Sequence, residues 1–356
     1  MTSPSHLPAV QRALRYHARH ARNPSSLVAI DRRTHLFEHP AFAGGVPYLA
    51  VGPVWMAGEP LAPPDAVPGL LTAFLDAARR ARRTAILSPV GPDVGEAARQ
   101  LGLPCLHLGA TAYVDAHRWA PRGNRFARLR NDLNHAARQG LHVREVVEAG
   151  PGLQRALERL ARRWLAGRRA GAGLEWIFRL DPSQHALLKR TFIASGPDGT
   201  LLAFLSASPL PGRAGWYLED VVRDERSPRG TAASVVAHAI RTLGAEGVRS
   251  VTLGGVPLTG TSGDLHLRFL KPLVSRWYHV DGLQHFKAQF GADHVEDEWM
   301  ILPSRSALPL AAWAVLRLAL PDGVRPLMEQ LWGDRPARSR RPGTPAAARL
   351  QPATRP

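Results

Sequence analysis

Hydrophobic and polar positions change their period repeatedly along the first 120 residues. Apolar residues recur at every third or fourth position over 68–82, which predicts an amphipathic helix. Further helices are predicted over 8–21, which is rich in arginine, and over 94–101. Four short apolar runs predict strands, at 27–30, 48–54, 84–87 and 105–108. Strands and helices that alternate in this way are typical of an α/β sheet.

The same order of elements returns in the second part of the chain. Strands are predicted over 201–208 and 215–222, a helix over 230–245, and a further strand over 248–253. No residue-by-residue repeat accompanies this recurrence, so only the order of elements is shared. The pattern predicts an α/β (α+β) protein with two halves of similar construction.

A helical, arginine-rich region separates the two halves. Over 122–140 the apolar residues form one stripe, and four basic residues fall largely on another face: Arg125, Arg128, His135 and Arg138. A solvated surface is the ordinary explanation of such a charged face. A second basic helix, predicted over 153–169, supports a site for a polyanion. Both interpretations stay open.

The charge balance favours anionic partners. The 356 residues include 46 Lys and Arg against 29 Asp and Glu, a formal net charge of +17. Such an excess favours nucleic acid or an anionic membrane surface. The longest apolar segment, 307–320, is interrupted by Arg317 and is shorter than the roughly 18–20 residues of a membrane-spanning helix. It predicts a helix that packs on the core or lies on a membrane surface.

The sequence predicts neither a secretion signal nor a membrane-spanning helix. The N-terminus lacks the apolar segment of a signal peptide. We therefore expect a cytoplasmic location, with or without peripheral attachment to the inner face of the cell membrane. The segment 335–356 is rich in Pro, Ala and Arg and has no acidic residue, which predicts a disordered basic tail.

Candidate chemistry begins where the strand over 215–222 ends. Asp220 can accept a proton or orient a base, and Arg223 can hold a phosphate with two hydrogen bonds. In a regular strand the two residues point to opposite faces, so a shared site requires the strand to end or bulge near Val222. A salt bridge between Asp220 and Arg223 is the alternative.

Three later segments could each contact a ligand. Arg229 and Gly230 open a helix whose backbone N–H groups could bind an anion, as in the acetyl-CoA loop of GNAT acyltransferases. The pair Gly254-Gly255 follows a strand and allows a ligand to approach the backbone, or else forms a tight turn. Lys287 interrupts an apolar helical stripe and is one of only three lysines in the chain.

Taken together, these segments resemble the C-terminal synthase domain of the multiple-peptide-resistance-factor family, the aminoacyl-phosphatidylglycerol synthases. The family elements D-L-M-R, P-x-G, L-G-x-A-P-L and G-L-x-x-F-K-x-K-F have counterparts at 220–223, 228–230, 253–258 and 282–290. The helix over 128–140 is similar to the family's basic R-x-x-x-N-K-A-x-R-x-G helix. The resemblance extends over most of the chain, from about residue 27 to about residue 303.

The resemblance implies a fold of two tandem GNAT-like acyltransferase halves joined by a basic helix. The halves would be 1–121 and 171–305, joined by 122–170 and followed by an apolar helical region, 306–334, and the tail. It implies catalytic roles for Asp220 and Arg223. It implies substrate binding by six residues: Arg229, Gly230, Gly254, Gly255, Lys287 and Glu296. It implies tRNA binding by the basic face at Arg125, Arg128, His135 and Arg138.

The implied reaction moves an amino acid from aminoacyl-tRNA to a phospholipid hydroxyl such as that of phosphatidylglycerol. The partners would be aminoacyl-tRNA and anionic phospholipid, and no cofactor or metal is expected because the ester on tRNA is already activated. The family's usual form has a flippase ahead of this domain. The sequence shows no such segment, so we expect a soluble or peripheral synthase. Two departures are Val51-Gly52-Pro53 in place of a G-D-P turn and Gln289 in place of a basic residue.

Two other functions remain open at this point. One is a GNAT-type acyltransferase that uses acyl-CoA on a small amine or peptide. The other is a catalytically inactive module that binds RNA or membrane.

Overall fold

A computed structural model describes residues 8–166, 179–257 and 285–320. The predicted tail, the end of the second basic helix beyond 166, and residues 282–284 of the aromatic-basic block lie outside this range. Seven helices of nine or more residues are described: α1 (Ala9–His20), α2 (Val67–Arg80), α3 (Pro92–Gln100), α4 (Ala127–Arg138), α5 (Pro151–Ala166), α6 (Thr231–Ala245) and α7 (Leu308–Ala319).

The described strands form one sheet. They are β1 (His35–His39), β2 (Phe42–Val51), β3 (Val54–Ala57), β4 (Thr84–Val90), β5 (Cys105–Asp115), β6 (His142–Val146), β7 (Arg190–Ser195), β8 (Leu201–Leu210), β9 (Gly215–Arg223), β10 (Ser250–Pro257) and β11 (His294–Ile301). Their order across the sheet is β1-β2-β3-β4-β11-β5-β10-β9-β8-β7-β6.

Each half of the sheet repeats one construction. Strands β1 to β3 form an antiparallel meander, after which α2 crosses over and β4 pairs parallel to β3. Strands β6 to β9 form a second meander, after which α6 crosses over and β10 pairs parallel to β9. The predicted α/β fold with two tandem halves is confirmed.

Strands β5 and β11 join the halves. β5 pairs with β10 on one side and with β11 on the other, and β11 pairs in turn with β4. β11 therefore comes from the second part of the chain but completes the first half of the sheet. No local pattern in the sequence predicted this insertion.

Different helices cover the two faces of the sheet, which we call face A and face B. Face A is covered by α2 and α3 over the first half, and by α4 and α6 over the second half. Face B is covered by α7 over the first half and by α5 over the second. Helix α1 contacts β1 and β2 and also β8 and the turn that follows it, so it bridges distant parts of face B.

Most predicted helices are confirmed, and their apolar stripes face the sheet. In α2, for example, Leu70, Leu71 and Phe74 are fully buried, because helical spacing puts them on one side. The strand predicted over 27–30 is wrong. These residues form turns held by local hydrogen bonds, and Leu27 and Ile30 are buried without any strand partner.

Candidate active site

The candidate site lies where β9 and β10 stop pairing. Their parallel pairing runs from Gly215 and Ser250 to Tyr217 and Thr252, although both strands continue for several residues beyond. Beyond the paired residues, each of the two strands is also irregular against the strand on its other side: β9 against β8, and β10 against β5. Glu219 is the extra residue of β9 against β8, and β10 is irregular between Thr252 and Gly255 against β5. Among the described residues, this leaves a gap in the sheet without strand pairing, bordered by predicted site residues.

Asp220 has a buried carboxyl group on the β9 side of this gap. Its Oδ2 atom is buried and has no hydrogen-bond partner among the described residues. Burial raises the pKa of Asp220 well above its ordinary value, and the neighbouring Glu219 carboxylate raises it further, while Lys189 opposes the shift. An unsatisfied buried carboxyl group costs stability, which is the usual signature of a group kept for binding or catalysis.

Glu219 and Lys189 support Asp220, and the sequence analysis missed both. The Lys189 ammonium lies 3.0 Å from Glu219 Oε1, and both side chains are almost completely buried. Ser208 Oγ donates a hydrogen bond to the other Glu219 oxygen. The β-bulge explains the arrangement, because it directs two successive carboxylates, those of Glu219 and Asp220, into the protein. The rarity of lysine in the chain was the one available signal for Lys189.

Arg223 does not join Asp220. The bulge precedes Asp220 instead of following it, and pairing with β8 is regular from Asp220 to Arg223. The two side chains therefore lie on opposite faces of the strand. No ion pair joins these two described residues, so the salt-bridge alternative is wrong as well. Arg223 is exposed at the strand end, where it lines a pocket with Arg163, Trp164 and Arg226.

Gly254 and Gly255 lie within β10, not in a turn after it. Gly254 has φ +79°, and an added Cβ would lie 2.7 Å from the Tyr217 ring. Lys287 donates hydrogen bonds to the carbonyl oxygens of Gly254 (3.0 Å) and Gly255 (2.8 Å). Burial lowers the pKa of Lys287 to about 8. Lys287 thus fixes the bulged segment of β10 at the edge of the gap.

Glu298 is a third residue that was not predicted from the sequence. It accepts a hydrogen bond from Thr111 Oγ1 at 2.8 Å, and burial raises its pKa. Its other oxygen lies close to Gly255, where a Cβ would approach it to 2.7 Å. The predicted acid was Glu296, two residues earlier on the same face of β11. Glu296 is instead held by both terminal nitrogens of Arg213.

The start of α6 packs against α4 and does not present an open anion site. An added Cβ at Gly230 would lie 2.0 Å from the backbone oxygen of Asp132, so only glycine allows this approach. Arg229 Nε lies 3.0 Å from the Asp132 carboxylate. The tight packing explains Arg229 and Gly230 without a ligand.

Helix α4 has the predicted basic face. Leu129 and Ala136 are buried, while Arg125, Arg128 and Arg138 are exposed and His135 is half-buried. The helix covers face A, and its binding role stays a prediction. Asp220 lies on face B, on the opposite side of the sheet from α4.

Comparison with known proteins identifies the family. A family profile described as "Phosphatidylglycerol lysyltransferase, C-terminal" matches residues 14–302. The chain belongs to this family. No curated sequence matches it significantly.

Solved structures show the same fold. The C-terminal domain (DUF2156) assigned to a lysylphosphatidylglycerol synthetase of Agrobacterium fabrum has a TM-score of 0.74 at 22% identity, covering 87% of this chain and 96% of that one. L-PGS from Bacillus licheniformis has a TM-score of 0.74 at 18% identity, covering 89% and 96%. FemX is more distant, with a TM-score of 0.55 at 11% identity, covering 87% and 99%. At these identities the similarity concerns the fold alone.

Family membership makes this chain an acyltransferase of the phosphatidylglycerol lysyltransferase type, which aminoacylates lipids. The predicted enzyme class and family are confirmed. Within the described residues, no helix has the length and apolar character needed to cross a bilayer.

Proposed function

We propose that this enzyme transfers an aminoacyl group from aminoacyl-tRNA to a hydroxyl group of a phosphatidylglycerol-type lipid, in the gap between β9 and β10. The principal support is the buried Asp220 carboxyl group, whose Oδ2 atom has no partner among the described residues. A lipid hydroxyl bound in the gap would supply the missing hydrogen bond.

The reaction exchanges one ester for another. The lipid hydroxyl oxygen attacks the carbonyl carbon of the aminoacyl ester, and the bond from that carbon to the tRNA ribose oxygen breaks. Asp220, in its ionised form, takes the proton of the lipid hydroxyl and returns it to the departing ribose oxygen. No oxidant, ATP or net proton is needed. Positioning of the two substrates supplies up to about 7–11 kcal/mol of the barrier.

The raised pKa of Asp220 suits this role. A carboxyl group with an ordinary pKa holds a proton too weakly to act as an efficient base near neutral pH. Because the pKa is raised by burial and by Glu219, ionised Asp220 is a stronger base. The rate should fall as the pH drops through that pKa, since protonated Asp220 cannot accept the hydroxyl proton.

Basic residues exposed elsewhere on the second half of the protein would bind the phosphates of both substrates. Arg223, exposed at the end of β9, would hold the lipid phosphate or the 3′-terminal phosphate of the tRNA. The exposed arginines of α4 would contact the acceptor stem. Phosphate contacts release counterions, so tRNA binding should weaken steeply with salt. Salt-independent binding would contradict the assignment to α4.

A transfer assay tests the proposal. The protein is incubated with a mixture of labelled aminoacyl-tRNAs and vesicles that contain phosphatidylglycerol, and the lipid is then extracted. Label in the lipid phase confirms the reaction and identifies the amino acid. Label lost from tRNA but absent from lipid contradicts the lipid acceptor, and unchanged tRNA contradicts the transfer itself. Acetyl-CoA serves as the control donor, because the packing of Gly230 on α4 argues against an acyl-CoA site at α6.

A further inference from the structure

Helix α7 has two apolar faces, and only one of them is used in the core. Its inner face, with Ala311, Ala314 and Leu318, is buried against β3 and its neighbours on face B. Its outer face has Trp313, 39% exposed, and Leu316, 49% exposed. A helix that is apolar all round is normally buried on all sides or lies in a lipid environment. The outer face therefore needs a partner.

The exposed part of α7 continues onto the turn between β2 and β3. The Trp313 indole packs on Gly52, where an added Cβ would lie 2.7 Å from it. Gly52 and Pro53 are themselves exposed. This turn is the site at which the sequence has Val51-Gly52-Pro53 and lacks the acidic residue of the related G-D-P turn. We call the surface formed by this turn, Trp313 and Leu316 the α7 patch.

The rim of the α7 patch is basic. Arg83 donates a hydrogen bond to the carbonyl oxygen of Gly52 at 2.7 Å, which holds its guanidinium beside the turn. Arg82 and Arg317 are exposed on the adjoining segments. The three contributing segments, 49–56, 79–84 and 303–320, contain no Asp or Glu. An apolar centre with tryptophan and a purely basic rim is complementary to an anionic bilayer surface.

The position of the α7 patch relates it to the candidate site. Helix α7 covers Met300 of β11, and Glu298 lies two residues earlier on that strand. Asp220 lies on face B, the same face that α7 covers over the first half of the sheet. A bilayer in contact with the α7 patch would lie on the side of the sheet where the proposed lipid acceptor must enter.

We infer that the α7 patch docks this enzyme on anionic membrane, with Leu316 and Trp313 inserted among the lipid headgroups. The orientation towards the gap rests on the proposed function, whereas docking itself does not. The family match ends at residue 302, before α7 begins, so the helix that provides Trp313 and Leu316 lies outside the matched region.

Vesicle co-sedimentation of the full chain tests the docking. Vesicles of equal parts phosphatidylglycerol and phosphatidylcholine are compared with vesicles of phosphatidylcholine alone. Replacing Leu316 by Glu should weaken binding to the anionic vesicles on the order of tenfold or more, because it removes apolar area and adds repulsion. Leu316→Lys loses the same apolar area but keeps the attraction, so it should bind more tightly than Leu316→Glu.

Leu101 provides the matched control. It is 44% exposed at the end of α3, on face A, so Leu101→Glu makes the same chemical change on the opposite side of the sheet. Wild-type binding by L316E, or equal loss in L101E, would overturn the inference. A wild-type dimer that L316E converts to monomer without lipid would assign the patch to self-association instead.

Transfer measurements separate this inference from the proposed function. L316E should lose transfer to vesicle lipid but keep transfer to short-chain phosphatidylglycerol dissolved as monomers. Absence of transfer in the wild type, with normal vesicle binding, would contradict the proposed function and leave the docking surface intact. Equal loss of transfer to both forms of lipid would overturn the docking role.

Discussion

The two crossovers of the sheet have the same topology but differ in how far the two parallel strands pair. In the first half, β3 pairs with β4 along its whole length, from Val54 to Ala57, and the paired residues are largely buried and apolar. In the second half, β9 and β10 pair at three positions and then separate around two bulges. The first half is closed by continuous pairing of the two strands, whereas the second half leaves a gap lined by polar groups.

A buried carboxyl group accompanies each crossover, and the two differ in their partners. Glu59 follows β3, and its Oε2 accepts the backbone N–H of Gly91 at 2.8 Å. Asp220 Oδ2, on β9, has no such partner among the residues described. The comparison teaches that burial alone does not identify a reactive carboxyl group. The unsatisfied oxygen and the missing strand pairing distinguish the second site.

The largest effect should come from Asp220→Asn. Asparagine fills the same volume but cannot accept the hydroxyl proton, so transfer should fall on the order of 10²–10⁴-fold. Initial rates of lipid labelling measure the loss, and thermal unfolding confirms that the fold is retained. Glu59→Gln is the matched control in the closed half and should keep most of the rate. Full transfer by D220N would mean that Asp220 is structural.

Removal of Lys189 should give the next largest effect. Lys189→Met leaves Glu219 buried without its cation, and such a change costs about 3–5 kcal/mol of unfolding free energy. It also removes the positive charge that lowers the pKa of Asp220, so the acid limb of the transfer rate should move to higher pH. Urea unfolding and a pH–rate profile measure the two effects. Lys189→Arg keeps the charge, and equal loss in both variants would contradict a purely electrostatic role.

Ionisation of Glu59 should change the unfolding free energy by about 3 kcal/mol between low and high pH. This follows because a shift of one pKa unit corresponds to about 1.4 kcal/mol. Burial raises its pKa from 4.5 to about 7. Between those values the folded state binds more protons than the unfolded state, so the unfolding free energy falls as pH rises from 4.5 to 7. Glu59→Gln should lack this decline and be more stable than wild type at pH 8, equal at pH 4. Parallel stability curves for the two proteins would disprove the raised pKa.

The smallest effect should come from Arg229, at the start of the crossover helix α6. Its ion pair with Asp132 is 68% exposed on the arginine side, and such pairs contribute about 1 kcal/mol or less. Arg229→Gln should therefore change stability little, and transfer should remain close to wild type. A large loss of transfer with unchanged folding would instead support the substrate-binding role of Arg229 that the family resemblance implies.

Local patterns in the sequence predicted much of the fold. Helical spacing located α2, α3 and α6, and alternating elements indicated the two halves. The order of motifs also suggested Asp220, the glycine pair and Lys287 as candidates, and Lys287 does contact the glycine pair. These features were predictable because each depends on neighbouring residues or on a short motif.

Strand pairing decided the rest. The insertion of β11 places Glu298 against Thr111, which is 187 residues away in the chain, so no local pattern could select Glu298 over Glu296. Regular pairing from Asp220 to Arg223 places the two side chains on opposite faces of β9, and the approach of α4 occupies the space at Gly230 that an anion was expected to use. The sequence by itself determined most of the helices, the recurring order of elements in the two halves and the acyltransferase family. Only the tertiary structure decided which side chains meet, because pairing register and helix packing join residues far apart in sequence.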